Sequence, residues 1–575
     1  MATVTNEREA RPAAAEAAEA LVPEVELPNS ADPVAFGRTL ARVGAGVASH
    51  PLEAGLAGLR YLSDLAAAGS VTFARALGAD CEGPFSPAPR DSRFDDLAWQ
   101  SNPAYYGLLQ GYLAWARFAD DLVAVAGLDE RETRKAEFAM QMVVDALAPS
   151  NFLLGNPAAL KKAFDTGGAS LVRGMRNFLD DVRSNDGFPR QVDLAPFKVG
   201  DNLAATPGKV VFRNDLMELI QYEPQTETVF ETPLLLSPPW INKYYIMDLA
   251  PGRSFAEWAV THGHTVFAIS YRNPDSAQRD VALDDYLLQG PRIALDVIGD
   301  ITGAPKANVV GLCLGGTLTA MLLAYLADQG DDRVRSATLL NTLVDFGEPG
   351  QLGVFTDPET IAGLEQRMAE RGYLDGAEMA RTFDLLRANN LIWNYVASNW
   401  LMGEDPPAFD ILAWNSDSTR LPAAMHSFYL RSCYVENALA RGELELAGTR
   451  LRLEDVTADT YVLAAKEDHI APWGSSYRTT QLLRGSEVRF VLSSSGHIAG
   501  IVNPPNPKSR HWTLDEHPPD ADDWVASASE HEGSWWEDWA AWIELRAGER
   551  RSPPPLGSQS YPALAEAPGS YVHAR

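Results

Sequence analysis

Hydrophobic and polar residues follow two different patterns along this chain. Between Pro33 and about Ser184, apolar residues recur at helical spacing, as in Tyr105–Ala119 and Glu137–Leu147, and runs typical of strands are few. This pattern predicts a mainly helical N-terminal domain over residues 33–205.

Beyond residue 205, short apolar runs are separated by helix-like stretches. The runs are Pro233–Ser237, Thr265–Tyr271, Ala307–Cys313, Ser336–Asp345, Thr460–Ala465 and Val488–Ser493. The helix-like stretches include Phe255–His262, Tyr286–Ile301 and Leu318–Asp328. Strands that alternate with helices predict a mainly parallel sheet with helices on both faces, and the active site of such a sheet lies at the carboxyl ends of its strands.

Three segments depart from this alternation. Residues 347–459 hold helix-like apolar and aromatic stretches such as Met425–Leu439, and we expect either a cap over the active site or a structural subdomain without a gating role. Residues 1–32 are rich in Ala, Glu and Pro, which predicts a disordered acidic arm. The polar C-terminal tail contains a Trp-rich helix at Trp535–Trp542. The catalytic domain is therefore predicted to span residues 206–575, with its cap at about 347–459.

Composition narrows the classes of function. A formal net charge of −29 argues against a nucleic-acid partner and against adhesion to anionic lipid. The three cysteines, Cys81, Cys313 and Cys433, suggest neither a disulfide framework nor a Cys-based metal site. The N-terminus lacks the apolar core of a signal peptide, and no stretch approaches the roughly 18 apolar residues of a transmembrane helix. We therefore expect a reduced, cytoplasmic protein that contacts a hydrophobic phase only peripherally.

The segment Asn308–Thr317 combines a buried strand, a glycine-flanked turn and a helix start. Cys313 occupies the tip of the turn, and Gly311 and Gly315 lie two residues to either side, where a Cβ atom would crowd so tight a turn. This is the pattern of the nucleophile elbow of α/β-hydrolases, normally Gly-x-Ser-x-Gly. The sequence therefore predicts an α/β-hydrolase fold with a helical N-terminal region and a cap or lid insertion, and Cys313 is its candidate nucleophile. A thiol in place of the hydroxyl suits acyl exchange with thioesters better than routine hydrolysis.

The acid of this fold follows the nucleophile in the chain and precedes the histidine. Asp468 comes just after the predicted strand Thr460–Ala465 and is the candidate acid. Asp345 also follows a predicted strand and could substitute for it, and Glu467 and Asp455 lie nearby.

The candidate histidine is His497, which lies in a Gly/Ser-rich loop after the predicted strand Val488–Ser493. His469 is the alternative, but it adjoins the candidate acid and would point elsewhere. His262 and His264 flank the start of a strand, where a structural role is expected.

Backbone amides are expected to stabilise an oxyanion beside Cys313. The N–H of Leu314 should supply one donor, because it follows the nucleophile. The second donor is expected from the loop Pro238–Lys243, with Trp240 and Ile241 as candidates; this loop lacks the HGGG pattern of lipases. An isolated cysteine is only a few per cent thiolate at neutral pH, so a neighbouring imidazole and the dipole of the helix after the elbow are needed to stabilise the thiolate.

Seven segments of the chain, including those that hold Cys313, Asp468 and His497, resemble the polyhydroxyalkanoate synthases. These are bacterial polyester-making enzymes whose lipase-like box carries Cys in place of Ser. The segments are Thr206–Asn214, Pro238–Tyr245, Tyr271–Asp275, Gly311–Gly316, Trp414–Thr419, Lys466–Trp473 and Gly496–Gly500. They occur in the family's order within roughly residues 90–510. Within the box, Leu312 and Leu314 are conservative departures from the family pattern.

The resemblance implies that Cys313, Asp468 and His497 are the catalytic residues. Cys313 would attack the thioester of a (R)-3-hydroxyacyl-CoA and displace CoA, with His497 as the base. Asp468 would either orient His497 or, together with it, activate the 3-hydroxyl that extends the chain. The layout looks like class I, which favours short monomers such as 3-hydroxybutyryl-CoA, and class II has a similar layout. No cofactor and no metal is implied, since the CoA thioester is the substrate.

The same resemblance implies a homodimer that works on polymer granules in the cytoplasm, with the growing polyester chain as a partner. Two alternatives remain open on the residues alone. A Cys-box polyhydroxyalkanoate depolymerase or acyl-CoA thioesterase would deliver the acyl group to water. An inactive granule-surface binding protein is the other, and the intact Cys–Asp–His set argues against it.

Overall fold

The computed structural model describes residues 33–89 and 91–575, which form two compact units. The helical unit comprises the described chain up to Asp193 together with residues 381–408. The sheet unit comprises Leu194–Ala380 and Phe409–Arg575. The arm expected at residues 1–32 lies outside the described residues. The middle of the segment 347–459, which the sequence assigned to the catalytic domain, thus groups with the N-terminal helices.

The helical unit consists of amphipathic helices, and its described residues up to Asp193 contain no strand. Proline at the first position and an Asn side-chain cap begin two of the helices, at Asn102 and Asn156, as helix-start chemistry predicts. The helices are α1 (Pro33–Ser49), α2 (Pro51–Ala76), α3 (Ala98–Ser101), α4 (Pro103–Val125), α5 (Glu130–Ala146), α6 (Pro157–Asp165) and α7 (Ala169–Ser184).

Residues 381–408 join the helical unit through polar contacts. The indole N–H of Trp400 donates to Asp181 at 2.8 Å, and the amide of Asn389 donates to Asp145 at 2.7 Å. The amide of Asn399 donates to the Arg190 carbonyl at 2.7 Å. These contacts join residues about 200 positions or more apart in the chain. Apolar periodicity, a local signal, therefore does not reveal them.

The sheet unit contains one 11-stranded sheet and three two-stranded ribbons. The strands are β1 (Gly208–Arg213), β2 (Met217–Tyr222), β3 (Val229–Phe230), β4 (Leu234–Ser237), β5 (Val266–Tyr271), β6 (Ala307–Leu312), β7 (Val334–Leu340), β8 (Tyr373–Leu374), β9 (Leu421–Pro422), β10 (Glu445–Leu446), β11 (Thr449–Arg450), β12 (Asp459–Ala465), β13 (Val488–Ser493), β14 (Arg510–Thr513), β15 (Ser529–Glu532), β16 (Arg550–Arg551) and β17 (Ala565–Glu566).

The order in the large sheet is β15-β14-β13-β12-β7-β6-β4-β5-β2-β1-β17. Its central strands, from β13 to β5, pair in parallel, and β2 pairs antiparallel with β5. All six predicted strands belong to this parallel part, and β13 has the predicted ends. The predicted run to Asp345 ends earlier, at Leu340, because the chain there turns through Asn341 at φ 45°.

Strands β1 and β2 both fall outside the predicted runs. For β2, the reason is that the strand buries polar side chains. Glu218 is fully buried and accepts hydrogen bonds from the N–H groups of Ser570 and Tyr571, at 2.8 and 2.9 Å. Gln221 exchanges hydrogen bonds with the carbonyl of Pro555 and the N–H of Gly557. The C-terminal tail, expected to be polar, therefore completes the core of the sheet unit.

Helices connect and follow the strands beyond residue 205, and one of them, Gly376–Leu386, crosses from the sheet unit into the helical unit. They are α8 (Phe255–Thr261), α9 (Leu283–Leu287), α10 (Ile293–Thr302), α11 (Leu314–Asp328), α12 (Pro358–Arg371), α13 (Gly376–Leu386), α14 (Asp410–Asn415), α15 (Ala423–Tyr429), α16 (Trp473–Tyr477), α17 (Thr479–Leu482), α18 (His497–Ile501), α19 (Ala521–Ser527) and α20 (Trp535–Glu544). The predicted helix Tyr286–Ile301 is divided at Leu288–Arg292, where Pro291 cannot donate a helical hydrogen bond. In α20, Trp535, Trp536 and Trp539 are buried. None of the described helices is both long and apolar enough to cross a membrane.

The carboxyl group of Asp384 makes the stability of the helical unit depend on pH. Burial raises the pKa of this carboxyl group to about 6, against the opposing effects of Gln191 and Arg381. Since the folded pKa exceeds the unfolded value, the charged form destabilises the fold above pH 6, and this cost disappears as the pH falls below about 4. We expect Asp384→Asn to raise the free energy of unfolding by about 1–3 kcal/mol at pH 7.5 and by almost nothing at pH 4.

Urea unfolding followed by circular dichroism at the two pH values measures this difference. Asp165→Asn, which changes an exposed carboxylate of the same unit, is the matched control and should be neutral at both. An equal gain for Asp384→Asn at pH 7.5 and pH 4 would contradict the assignment.

Candidate active site

Cys313 lies in a turn with an unusual backbone between β6 and α11. Its φ of 51° and ψ of −118° are rarely adopted by a residue with a side chain. The Cys313 N–H donates to the carbonyl of Leu340 at 2.9 Å, and the Cys313 carbonyl accepts from the N–H groups of Gly316 and Thr317. Cys313 is a free cysteine and is half-buried. The turn therefore holds a thiol at the carboxyl edge of the sheet, as the elbow pattern predicts.

The glycines around Cys313 are required by close packing. A Cβ atom on Gly311 would lie 2.6 Å from the Cα of Gly316, and one on Gly315 would lie 2.6 Å from the carbonyl carbon of Pro238. Real Cβ atoms essentially never approach other atoms so closely. The elbow thus packs directly against the loop that begins at Pro238.

His497 and Asp468 meet at the same edge of the sheet. His497 is the first residue of α18, after β13, and Asp468 follows β12. The Nδ1–H of His497 donates to Oδ2 of Asp468 at 2.6 Å. The other oxygen, Oδ1, accepts from the N–H groups of Ile470 and Ala471 at 2.8 and 2.9 Å. Both oxygens of Asp468 are therefore engaged, and the second ring nitrogen of His497, Nε2, is left for the thiol.

The electrostatics of the site favour a charged imidazole. Burial by itself lowers the pKa of His497, but the charge of Asp468 and then that of Cys313 raise it well above its usual value, helped by hydrogen bonds to both side chains. An imidazolium held between a carboxylate and a thiolate is stabilised by two opposite charges. The structure thus brings together the three residues that the sequence selected, Cys313, Asp468 and His497.

The alternative acids have other positions. Asp345 accepts hydrogen bonds from the Asn437 amide and the Gly347 N–H, both at 2.8 Å, and so fastens the start of the segment 347–459. Glu467 is exposed. Asp455 precedes β12 and is exposed, so it lies on the amino side of that strand.

The alternative histidines are also accounted for. His262 and His264 precede β5, at the amino end of a parallel strand, and so lie at the opposite edge from Cys313. His264 is buried, and burial lowers the pKa of its imidazolium to about 3. His262 stacks on Trp258 with ring centroids 4.0 Å apart. The imidazole that meets Asp468 at hydrogen-bond distance belongs to His497.

The two candidate oxyanion donors lie on segments that touch. Leu314 is the first residue of α11, where helical N–H groups have no partner within the helix. The hydroxyl of Thr419 donates to the carbonyls of Trp240 and Ile241, at 2.6 Å each. In a trans peptide the N–H points opposite to the C=O, so the N–H of Ile241 faces away from Thr419. This orientation leaves Ile241 available as a donor.

Five aromatic side chains pack together in the hydrophobic core that Cys313 also contacts, and sequence reasoning did not single out this cluster. The aromatic cluster comprises Trp240, Tyr286, Phe346, Tyr429 and Tyr434, whose neighbouring ring centroids lie 4.9 to 6.0 Å apart. Burial raises the pKa of both Tyr429 and Tyr434, and charge on Cys313 adds to the effect. Two of these rings are therefore close enough to feel the charge of the thiol. The dense aromatic spacing of the stretch Met425–Leu439 was the available signal.

Among the residues that the structure describes, no group of three or more His, Cys, Asp or Glu side chains could hold a metal ion.

The reactivity of Cys313 tests the role of the carboxylate. In a Cys81→Ser background, we expect Asp468→Asn to slow alkylation of Cys313 by iodoacetamide at pH 7 about tenfold, since removing the negative charge lowers the pKa of His497 and weakens the thiolate–imidazolium pair. Burial raises the pKa of Cys433, which should not react. Mass spectrometry of the labelled peptide measures the rate.

Asp345→Asn is the matched control. It removes a carboxylate that also follows a strand but bonds to Asn437 and Gly347 instead of His497, so alkylation should stay within about twofold of the wild-type rate. A larger loss for Asp345→Asn than for Asp468→Asn would assign the acid to Asp345.

Comparison with known proteins agrees with this geometry. Residues 90–259 match the family described as the N-terminus of poly-beta-hydroxybutyrate polymerase (PhaC), and residues 240–504 match the family described as the alpha/beta hydrolase fold. The poly(3-hydroxyalkanoate) polymerase of Methylorubrum extorquens is 45% identical over 558 residues, which cover 96% of this chain and 92% of that protein.

Two further relatives are poly(3-hydroxyalkanoate) polymerase subunits PhaC. That of Rhizobium meliloti is 46% identical, with 88% of this chain and 83% of that protein covered. That of Cupriavidus necator is 42% identical, with 92% and 90% covered. The sheet order and the hydrolase match show an α/β-hydrolase fold, as predicted. With such identity over most of its length, the chain belongs to the poly(3-hydroxyalkanoate) polymerase family.

Proposed function

We propose that this protein polymerises (R)-3-hydroxyacyl groups from CoA thioesters into polyhydroxyalkanoate, with release of CoA, by covalent catalysis on Cys313. The observation that carries the proposal is the hydrogen bond between His497 and Asp468 beside Cys313, whose charge raises the pKa of His497, in a chain 45% identical over 558 residues to a poly(3-hydroxyalkanoate) polymerase. A thiol is a good nucleophile towards a thioester because the two sulfurs are similar leaving groups.

Acylation starts with the proton of the thiol. Nε2 of His497 accepts it, and the thiolate of Cys313 attacks the carbonyl carbon of the substrate thioester. The N–H groups of Leu314 and Ile241 stabilise the oxyanion that forms. The C–S bond to CoA then breaks, His497 returns its proton to the CoA sulfur, and the acyl group remains on Cys313.

Elongation uses the same base. His497 accepts the proton of a 3-hydroxyl group, whose oxygen attacks an acyl thioester, so that an ester bond forms and a thiol is released. Of the two roles considered for Asp468, orientation of His497 has the better support. Its Oδ2 meets Nδ1 of His497, and its Oδ1 accepts two backbone N–H groups. Three of the roughly four acceptor sites of this carboxylate are thus used to hold it against His497 and the backbone.

Water must be kept from the acylated thiol for polymer to form. The aromatic cluster supports this requirement, because four of its five rings are buried, Tyr434 is partly buried, and all pack in the same core as Cys313. A thioester surrounded by such side chains meets few water molecules. This observation favours a synthase over a thioesterase or depolymerase.

The proposal includes features that rest on the resemblance. They are class I organisation, 3-hydroxybutyryl-CoA as the preferred monomer, a homodimer, and a site of action on polymer granules in the cytoplasm. No cofactor is included, since the thiol, imidazole and backbone amides supply every proton transfer and bond described.

Incubation of the purified protein with 3-hydroxybutyryl-CoA tests the activity. We expect CoA release together with turbid polymer, and Cys313→Ala should lower CoA release by about 10⁴-fold or more with the fold intact, because the nucleophile is lost. Thiol assay and light scattering measure the two products. Cys81→Ser is the matched control and should keep full activity.

The other outcomes identify the alternatives. CoA release with free 3-hydroxybutyrate would indicate a thioesterase, and no CoA release would indicate an inactive binding protein. Turnover by Cys313→Ala would show that the elbow thiol is not the nucleophile.

Asp468→Asn separates the two roles of that carboxylate. If it orients His497, the first acylation and later elongation should fall equally, by about 100-fold or more, because both steps use the same imidazole. Rapid-quench measurement of the first CoA released, compared with the steady-state rate, gives the two losses. A much larger loss in elongation would instead support activation of the hydroxyl group.

A further inference from the structure

The three residues Leu340–Thr342, at the end of β7, contact the backbone on both sides of the candidate site. The Leu340 carbonyl accepts from the N–H of Cys313 at 2.9 Å. The Thr342 hydroxyl lies 3.3 Å from the Cys313 carbonyl. The residue between them, Asn341, contacts His497. This short segment therefore holds the nucleophile turn on one side and the histidine loop on the other.

Asn341 has two hydrogen bonds with different consequences. Its backbone N–H donates to the Leu463 carbonyl of β12 at 2.8 Å, which fixes its main chain to the sheet. Its side-chain Nδ2 donates to the His497 carbonyl at 2.6 Å. Asn341 is fully buried, so no water competes for these bonds. The start of α18, and with it the imidazole, is thereby attached to the strand that also holds Cys313.

Two local costs accompany this contact. Asn341 has a φ of 45°, which Asn tolerates better than most residues but which still costs free energy. Its Oδ1 is buried and has no hydrogen-bond partner among the described residues. The reversed amide orientation would place Oδ1 against the His497 carbonyl, two acceptors together, so the orientation of the amide is determined. Local costs of this kind are typical of functional sites.

We propose that Asn341 is a positioning residue that sets the separation between the His497 imidazole and the Cys313 thiol. Leu340 and Asn341 are adjacent, and each fixes the backbone of one member of the pair. A shift of His497 by a fraction of an ångström would weaken the hydrogen bond to the thiol, because hydrogen bonds lose strength steeply with distance and angle. The proposal takes the roles of Cys313 and His497 from the proposed function.

Asn341→Gly tests the proposal, because glycine adopts a positive φ without strain and removes the side chain that bears the amide. In the Cys81→Ser background, we expect alkylation of Cys313 at pH 7 to slow by about 10- to 100-fold and its pH midpoint to rise, since a displaced imidazole stabilises the thiolate less. The full pH profile of alkylation is measured beside the thermal unfolding midpoint.

Asn308→Ala is the matched control. Asn308 is also buried in the sheet, and its amide donates to a backbone carbonyl, that of Arg546, at 3.2 Å. It lies at the amino end of β6, away from Cys313, so its loss should lower the unfolding midpoint without moving the pH profile.

A pH profile of Asn341→Gly that superimposes on the wild-type profile would overturn the proposal and leave Asn341 a structural role. If Asn341→Gly does not fold, Asn341→Ala supplies the same comparison, because it removes the donor without adding a charge. Alkylation does not require polymerisation. A shifted profile in a protein that makes no polymer would therefore count against the proposed function alone.

Discussion

The backbone of Cys313 is the constraint on which the site depends. A non-glycine residue in this region costs about 1–3 kcal/mol and persists only where its surroundings determine it. Here the surroundings are the Leu340 carbonyl, which accepts the Cys313 N–H, and the glycines of the turn, which let α11 approach the loop at Pro238. The end of β6 and the start of α11 follow from this turn, as does the placement of the candidate oxyanion donors beside the thiol.

The charged groups of the site also depend on one another. Burial of His497 opposes its protonation, and the nearby charges of Asp468 and Cys313 overcome that opposition. Each group is therefore stabilised only while the others stay in place, because an unpaired charge in a buried site is costly. Two backbone N–H groups hold Asp468 in place on one side of His497, and the elbow holds Cys313 on the other.

Much of the fold and site could be predicted where the signal is local. The parallel strands appear as apolar runs, as at Val488–Ser493, and the elbow has a sequence pattern of its own. These two signals were enough to select the three residues that the structure brings together. Their catalytic roles stay predictions. Strand β2 was missed because Glu218 and Gln221 interrupt its apolar run, and most of their partners lie more than 300 residues away in the chain. Residues 381–408 and Asn341 were missed because their contacts also join distant parts of the chain.

The two units divide the segment 347–459 in a way that bears on how water is kept from the thiol. Tyr429 and Tyr434, which face Cys313, belong to the part within the sheet unit, and Phe346 directly precedes the segment. Asn437, three residues after Tyr434, is tied to the chain just before the segment, since it donates to Asp345 and accepts from the Phe346 N–H, both at 2.8 Å. The rings beside the thiol are thus held by contacts inside the sheet unit.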